Sequence, residues 1–191
     1  MRHPSFELCD ASYPGPGNGK TVFTAGHGAR PLEELVGMLL AARARTLVDV
    51  RRFPGSRRHP QFGRDTLAAA VESAGIGYAH AAELGGRRSR EPGEERFGCI
   101  RTPAFRSYAA RMTTLEWQSA LTEALALERP CFLCAETLWW RCHRRLIAEL
   151  LAARGFRVLH LVRPHEAREH TAMDVSEVRA GRLYLCGELV A

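Results

Sequence analysis

The amino-acid sequence predicts an α/β fold: a single domain with a mostly parallel central sheet of about five strands, flanked by helices on both faces. Two observations support this prediction. Short apolar runs alternate along the chain with amphipathic segments of helical periodicity, the pattern of strands joined by helical crossovers. The length of 191 residues suits one well-buried core and would be cramped for two. A parallel sheet of this kind is covered by helices on both faces.

The first 19 residues are rich in proline and glycine, which predicts an irregular N-terminal arm over residues 1–19. The α/β domain is therefore expected to cover residues 20–191. Five short apolar runs predict its strands, at residues 21–28, 46–52, 76–84, 131–136 and 157–162. One more short strand is predicted in the tail, at residues 182–186.

The amphipathic segments between these runs predict helices. One of them is expected to have Asp65 as its N-cap and Gly75 just beyond its end. The others are predicted at residues 31–43, 103–112, 115–128 and 142–155. Residues 85–102 form a long polar loop, and loops of this length are usually functional or mobile.

The composition narrows the classes of function. The net charge is +6, but Lys20 is the only lysine among 27 basic residues, which indicates compositional bias in the coding sequence. The charge supports non-specific association with nucleic acid at low salt. No helix-turn-helix, zinc-finger or RRM signature is found, so sequence-specific recognition is not supported.

We expect a cytoplasmic protein with no membrane association. No apolar run approaches the roughly 20 residues that span a bilayer, and the N-terminus lacks the apolar region of a secretory signal. Six cysteines are scattered through a chain with a full core, so reduced thiols are expected. The oligomeric state does not follow from the sequence.

Potentially reactive residues lie at the end of one predicted strand after another. Because ligands bind beyond the carboxyl ends of parallel strands, we expect these residues to converge on one site. The residues predicted to be catalytic are Cys134, Glu136, His27 and His143. The residues predicted to bind substrate are Asp49, Arg51, Ser56, Gly85, Gly86, Cys142 and Arg144.

The segment CFLCAETLWWRCHRRLIAELL, residues 131–151, carries most of this prediction. A thiol close to the start of the predicted helix would have a lowered pKa. The backbone N–H groups of the first turn of that helix would point toward an anion bound there. Either Cys134 or Cys142 could instead be a small buried apolar residue. Asp49 and Arg51 lie on one strand face, where they form either an internal ion pair or a support for anion binding.

A zinc site is not expected in this segment. Cys134, Cys142 and His143 supply suitable ligand types. Adjacent residues of a helix, however, point about 100° apart, so Cys142 and His143 were not expected to hold one ion. A redox pair of Cys131 and Cys134 is also not expected, because residues three apart on a strand face opposite sides.

Four segments together resemble the DUF488 family of bacterial and archaeal proteins, for which no biochemical role is established. They are TAGHG, LVDVRRFPGSRRHPQF, GIGYAHAAELGG and CAETLWWRCHRRLIAELL, and the resemblance covers roughly residues 21–165. It implies a characteristic set made of Gly26, His27, Asp49, Arg51, Pro54, Ser56, Leu84, Gly85, Gly86, Cys134, Glu136, Cys142, His143 and Arg144. Many members have serine after the Gly-His pair, where this chain has Gly28.

The leading hypothesis is an enzyme that acts on an anionic substrate, related to nucleotides or nucleic acids, at this Cys/Glu/His/Arg site. Two alternatives remain open: a non-catalytic module that binds a nucleotide or phosphometabolite, and a thiol or metal sensor. No Gly-x-Gly-x-x-Gly or Walker pattern is present, so no cofactor is expected. The expected partner is a small anionic or nucleotide-like ligand.

Overall fold

The computed structural model describes residues 20–55, 58–86 and 90–191. The predicted arm at residues 1–19 lies outside this part of the chain, as do Ser56 and the loop arginines Arg57, Arg87 and Arg88. Within the described residues the chain forms one α/β domain with a main sheet of six strands and a small antiparallel sheet. The predicted fold class is confirmed.

The main sheet has the strand order β3-β2-β4-β1-β5-β6. Its strands are β1 (Thr21–Gly26), β2 (Thr46–Asp49), β3 (Gly77–His80), β4 (Pro130–Cys134), β5 (Arg157–Arg163) and β6 (Glu166–Glu169). The first five are parallel, and β6 pairs with β5 in the antiparallel direction. The sequence did not predict β6. Its tight turn from β5 includes His165 at φ 62°, a left-handed conformation that few residues adopt.

Among the described residues, five α-helices cover the two faces of this sheet. They are α1 (Leu32–Ala41), α2 (Arg64–Ser73), α3 (Pro103–Met112), α4 (Leu115–Ala126) and α5 (Arg144–Ala153). Alternate strand residues face opposite sides. Leu47 and Leu133 belong to the apolar cluster under α1 and α2, whereas Val48 and Phe132 belong to the cluster under α3, α4 and α5.

Two predicted helix starts are wrong. The N-cap of α2 is Gly63, and Asp65 lies within the first turn, where its charge still favours the helix. The helix α5 begins at Arg144, so Cys142 lies outside it in an extended conformation, with φ −122° and ψ 150°. Gly75 follows the end of α2 at φ 77°, as predicted for a residue at that position.

The tail forms the small sheet from β7 (Ser176–Arg179), β8 (Arg182–Leu185) and β9 (Glu188–Leu189). The predicted strand in the tail corresponds to β8, while β7 and β9 were not predicted. Leu183 and Leu185 of β8 are fully buried in the cluster that α3, α4 and α5 cover. The tail therefore completes the core on that face.

The prediction that all cysteines are reduced is wrong for one pair. Cys99, in the loop before α3, forms a disulfide with Cys186, just after β8, with their Cα atoms 5.6 Å apart. The two residues are 87 positions apart, and only the packing of the tail brings them together. Cys131, Cys134 and Cys142 are free thiols. None of the helices in the described ranges has the length and apolar character that crossing a bilayer requires.

Candidate active site

A cavity of about 630 Å³ opens beyond the carboxyl ends of β1, β2 and β4. These three strands are neighbours in the sheet, so the residues that follow them meet at one edge. The predicted site residues that line the cavity are His27, Arg51, Gly86, Cys134, Glu136, Cys142 and His143. The structure thus brings most of the predicted residues together. Ser56, also predicted, lies outside the described residues.

Cys134, Cys142 and His143 form a compact cluster at this cavity, which we call the thiol cluster. The Nδ1 atom of His143 lies 3.5 Å from the Sγ atom of Cys142 and 3.9 Å from the Sγ atom of Cys134. All three heteroatoms lie within 4.8 Å of one another. Cys142 is extended and not helical, so the reason for not expecting these residues to hold one ion is wrong. The extended backbone of Cys142 turns its side chain toward His143.

The pKa values of the two thiols in the thiol cluster are shifted in opposite directions. A hydrogen bond from the Cys134 thiol lowers the pKa of Cys142 well below the usual thiol value, although burial opposes this shift. The neighbouring guanidinium of Arg144 adds positive charge beside Cys142. The same hydrogen bond, together with burial, raises the pKa of Cys134. Of the two sulfurs, Cys142 is therefore the one whose ionisation the surroundings favour.

Close packing fixes the His143 ring. A Cβ atom on Gly86 would overlap the ring, so only glycine fits at that position. On another side, the ring of Tyr108 lies with its centroid 5.0 Å from that of His143. Gly85 is equally restricted, because its Cβ would lie 2.8 Å from the backbone nitrogen of Arg52. The observed contacts of both glycines are thus packing contacts.

Asp49 and Arg51 form a buried ion pair at the end of β2. The Nε and NH2 groups of Arg51 donate to the two carboxylate oxygens of Asp49, at 2.8 and 2.5 Å. The Tyr78 hydroxyl donates to the same carboxylate at 2.8 Å. Asp49 is fully buried, so it cannot contact a ligand in the cavity. Asp49 thus orients Arg51 within an internal ion pair, which is the first of the two interpretations given for these residues from the sequence.

His27 is held as a neutral ring beside Arg51. Its Nε2 atom lies 3.2 Å from the Arg51 NH1 group, which can only donate, so Nε2 accepts. The proton is then on Nδ1, which donates to the carbonyl of Gly28 at 2.9 Å. Burial lowers the pKa of His27 to about 4, and the ring stacks on Phe62. Both ring nitrogens are engaged, which leaves neither for proton transfer in this conformation.

Arg144 does not line the cavity. It is buried, and its guanidinium donates to the carbonyl oxygens of Glu136 and Thr137 and to the hydroxyl of Thr24. These bonds hold the loop of residues 135–141 against β1. Gly26 makes this approach possible, because a Cβ atom there would overlap the Glu136 carbonyl oxygen. The contacts of Arg144 in this structure are thus with the loop and β1, and its predicted contact with substrate stays a prediction.

Glu136 itself is exposed on the wall of the cavity. One of its carboxylate oxygens accepts a hydrogen bond from the backbone nitrogen of Leu138 at 3.2 Å. The carboxylate is close to the thiol cluster in sequence and faces the same space. Its placement is compatible with the acid–base role that the sequence predicts.

Several residues of the cavity were not among the predicted site residues. The rim carries the guanidinium groups of Arg52, Arg58 and Arg141 and the rings of Phe53 and Phe105. Arginine is so abundant along the whole chain that the sequence does not distinguish these three as site residues. Phe53 is an apolar ring that is 66% exposed, which is unusual for phenylalanine and could not be read from the sequence.

A buried chain of polar side chains lies behind the Arg144 contacts. The Thr24 hydroxyl lies 2.7 Å from Nδ1 of His160, whose Nε2 lies 3.0 Å from Nδ1 of His170. The opposite nitrogen of His170 lies 3.3 Å from the buried Glu149 carboxylate. Burial lowers the pKa of His160 to about 3. This chain links the tail to the loop above the site.

One comparison with known proteins identifies the family. The sequence model described as "Domain of unknown function DUF488" matches residues 31–151, more than half of the chain. This range is narrower than the one over which the motifs resemble the family, and it contains the whole thiol cluster. No curated protein and no solved structure matches the chain. The matched range includes β2 and β4 but not β1, and the chain belongs to the DUF488 family.

Proposed function

We propose that the protein is an enzyme that acts on an anionic, nucleotide-like substrate, with the thiol cluster as its reactive centre. One observation carries this proposal. Three side chains with thiol and imidazole chemistry, from the end of β4 and the start of α5, meet at a cavity whose rim is lined with arginines. Two thiols and an imidazole in contact are unusual in a protein that only needs a core.

The chemistry of the cluster depends on its sulfurs. The thiolate is the form that acts as a nucleophile and as a metal ligand. Cys134 is half-buried at the cavity, so its sulfur is the one placed to face a substrate. Because the pKa of Cys134 is raised, its proton has to pass to the Cys142 sulfur or to the His143 ring before it can act as a nucleophile, and both groups lie within 4.8 Å. Glu136 supplies a carboxylate for acid–base chemistry on the same wall.

The rim indicates the charge and shape of the substrate. Guanidinium groups pair with phosphate or carboxylate through charge-assisted hydrogen bonds. The Arg52 guanidinium lies 5.3 Å from the centre of the exposed Phe53 ring, and an exposed aromatic ring is a surface on which a base can stack. A phosphate and a planar base would use both features, so a nucleotide-like substrate fits better than a simple inorganic anion.

The test is binding of a panel of nucleotides and inorganic triphosphate, measured by calorimetry at fixed salt. Arg141→Ala should weaken binding about tenfold, the loss expected for one charge-assisted contact. Arg168→Ala is the matched control, because Arg168 is an exposed arginine on β6 and does not line the cavity. Equal weakening by both variants would show that the binding is non-specific and would contradict the proposal.

A second measurement separates an enzyme from a binding module. Each nucleotide that binds is incubated with the protein and analysed for product by mass spectrometry. Cys134→Ser should abolish turnover while leaving binding within a few fold of that of the unchanged protein. If the unchanged protein binds a nucleotide tightly and converts none of the panel, the site is a binding module and the enzyme assignment is wrong.

A further inference from the structure

We propose that the thiol cluster is a zinc site in which the Sγ atoms of Cys134 and Cys142 and the Nδ1 atom of His143 are the ligands. The fourth coordination position would face the cavity. This inference goes beyond the proposed function, because it rests on the cluster alone and holds whatever the substrate is. It also reverses the prediction from sequence, whose premise of a helical Cys142 is wrong.

The distances in the cluster suit a tetrahedral ion. With Zn–S bonds of about 2.3 Å and Zn–N bonds of about 2.0 Å, sulfur and nitrogen ligands lie about 3.6 Å apart. The observed separations of Nδ1 from the two sulfurs are 3.5 and 3.9 Å. The two sulfurs lie within 4.8 Å of each other, against about 3.8 Å for two tetrahedral Zn–S bonds, so binding an ion requires them to approach by up to about 1 Å.

The ligands are carried by rigid elements. Cys134 ends β4, a central strand, and His143 is the N-cap of α5. The His143 ring is confined by Gly86 and Tyr108, and the loop between the ligands is held by Arg144. A site on such supports is preorganised, so little conformational entropy is lost when an ion binds.

The ligand types select the metal. Two thiolates and one imidazole favour zinc over the hard cations magnesium and calcium, which require oxygen ligands. Three protein ligands with an open fourth position are typical of catalytic zinc, whereas structural zinc is held by four. All three ligand residues line the cavity, so the open position points to the space where the substrate is proposed to bind.

A bound zinc ion would keep both sulfurs as thiolates and would act as a Lewis acid at the cavity floor. Water or an anionic oxygen of a ligand could occupy the open position.

The experiment uses the full chain, purified without metal-affinity chromatography. Elemental analysis should find about one zinc per chain, as three strong ligands predict. The protein stripped with a chelator should bind Co²⁺ with the thiolate charge-transfer and d–d absorption bands of a tetrahedral site. Absence of bound zinc, together with absence of these bands on Co²⁺ addition, would overturn the inference.

Variants assign the ligands. Cys134→Ser, Cys142→Ser and His143→Gln should each weaken zinc binding by about a hundredfold or more, measured against a chromophoric chelator. Cys131→Ala removes a cysteine that is no ligand and should bind zinc unchanged. If the ligand variants fail to fold, the cobalt spectrum of the unchanged protein still decides whether the thiol cluster binds a metal ion. Arg141→Ala should retain zinc, so failure of the zinc site and failure of anion binding are separate outcomes.

Discussion

Arg144 donates a hydrogen bond to the carbonyl oxygen of Glu136, and this bond joins the start of α5 to the loop that follows β4. The guanidinium is buried, and its other contacts are Thr24 and Thr137. The first turn of α5 thus holds the loop that carries Glu136, while Cys142 and His143, just before that turn, face the cavity. The positions of Glu136 and of the thiol cluster depend on the same arginine.

We predict that Arg144→Ala lowers the free energy of unfolding by about 2–4 kcal/mol, because a buried charged donor and several hydrogen bonds are lost. Urea denaturation measures this change. Arg145→Ala, at the neighbouring half-buried position, is the control and should change stability by about 0.5 kcal/mol or less. Unchanged stability combined with lost anion binding would show that Arg144 contacts the ligand directly.

Gly26→Ala is predicted to be destabilising by about 2 kcal/mol or more, because the added methyl group overlaps the carbonyl oxygen of Glu136. Gly37→Ala is the matched control. Gly37 lies within α1, and a Cβ atom there meets no other group within 4 Å. That substitution should stabilise the protein by about 0.5–1 kcal/mol through helix propensity. Similar effects of the two substitutions on the midpoint of thermal unfolding would contradict the close approach of the loop.

The pKa of His160 predicts how stability depends on pH. Burial lowers this pKa from 6.5 to about 3, and His170 and Arg144 add to the effect. Below pH 6.5 the unfolded chain binds a proton at His160 that the folded protein does not, so stability falls as the pH drops from 6.5 toward 3. The loss should approach 1.4 kcal/mol for each pH unit.

The measurement is the free energy of unfolding at pH 6.5 and pH 5.5, for the unchanged protein and for His160→Gln. The variant should be less stable at pH 6.5, because it disturbs the contacts with Thr24 and His170. Its stability should nevertheless fall less between the two pH values. Equal slopes for both proteins would show that His160 is protonated in the folded state.

The disulfide should contribute strongly to stability because it closes a long loop. Cys99 and Cys186 are 87 residues apart, and cross-links of this span stabilise by about 2–4 kcal/mol. The double variant Cys99→Ser/Cys186→Ser should be destabilised by this amount in urea denaturation. Adding a reductant should lower the stability of the unchanged protein but not that of the double variant. An equal effect of the reductant on the stability of the unchanged protein and of the double variant would contradict the Cys99–Cys186 disulfide.

The convergence of the site could be predicted from the sequence because it follows from topology. Parallel strands place their carboxyl ends at one edge, so His27, Arg51 and Cys134 had to meet there. The contact of Cys142 with His143 could not be predicted, because it depends on one extended residue before α5. The burial of Asp49 and the role of Arg144 also depend on packing that residue types do not specify.

The features that sequence reasoning missed have a common physical origin. The Cys99–Cys186 bond depends on how the tail packs against the loop before α3. The arginines of the rim are ordinary surface residues until the loops place them around a cavity. Such long-range arrangements leave no local pattern in the chain.

The central claim is that Cys134 belongs to a reactive cluster open to the cavity, and alkylation tests it most directly. The chelator-stripped protein is treated with iodoacetamide at neutral pH, and each cysteine is quantified by peptide mass spectrometry. Cys134 should react at least about tenfold faster than the fully buried Cys131, and inorganic triphosphate should slow its reaction. If Cys134 and Cys142 are both as inert as Cys131 and triphosphate has no effect, the cluster is no reactive centre and the account is wrong.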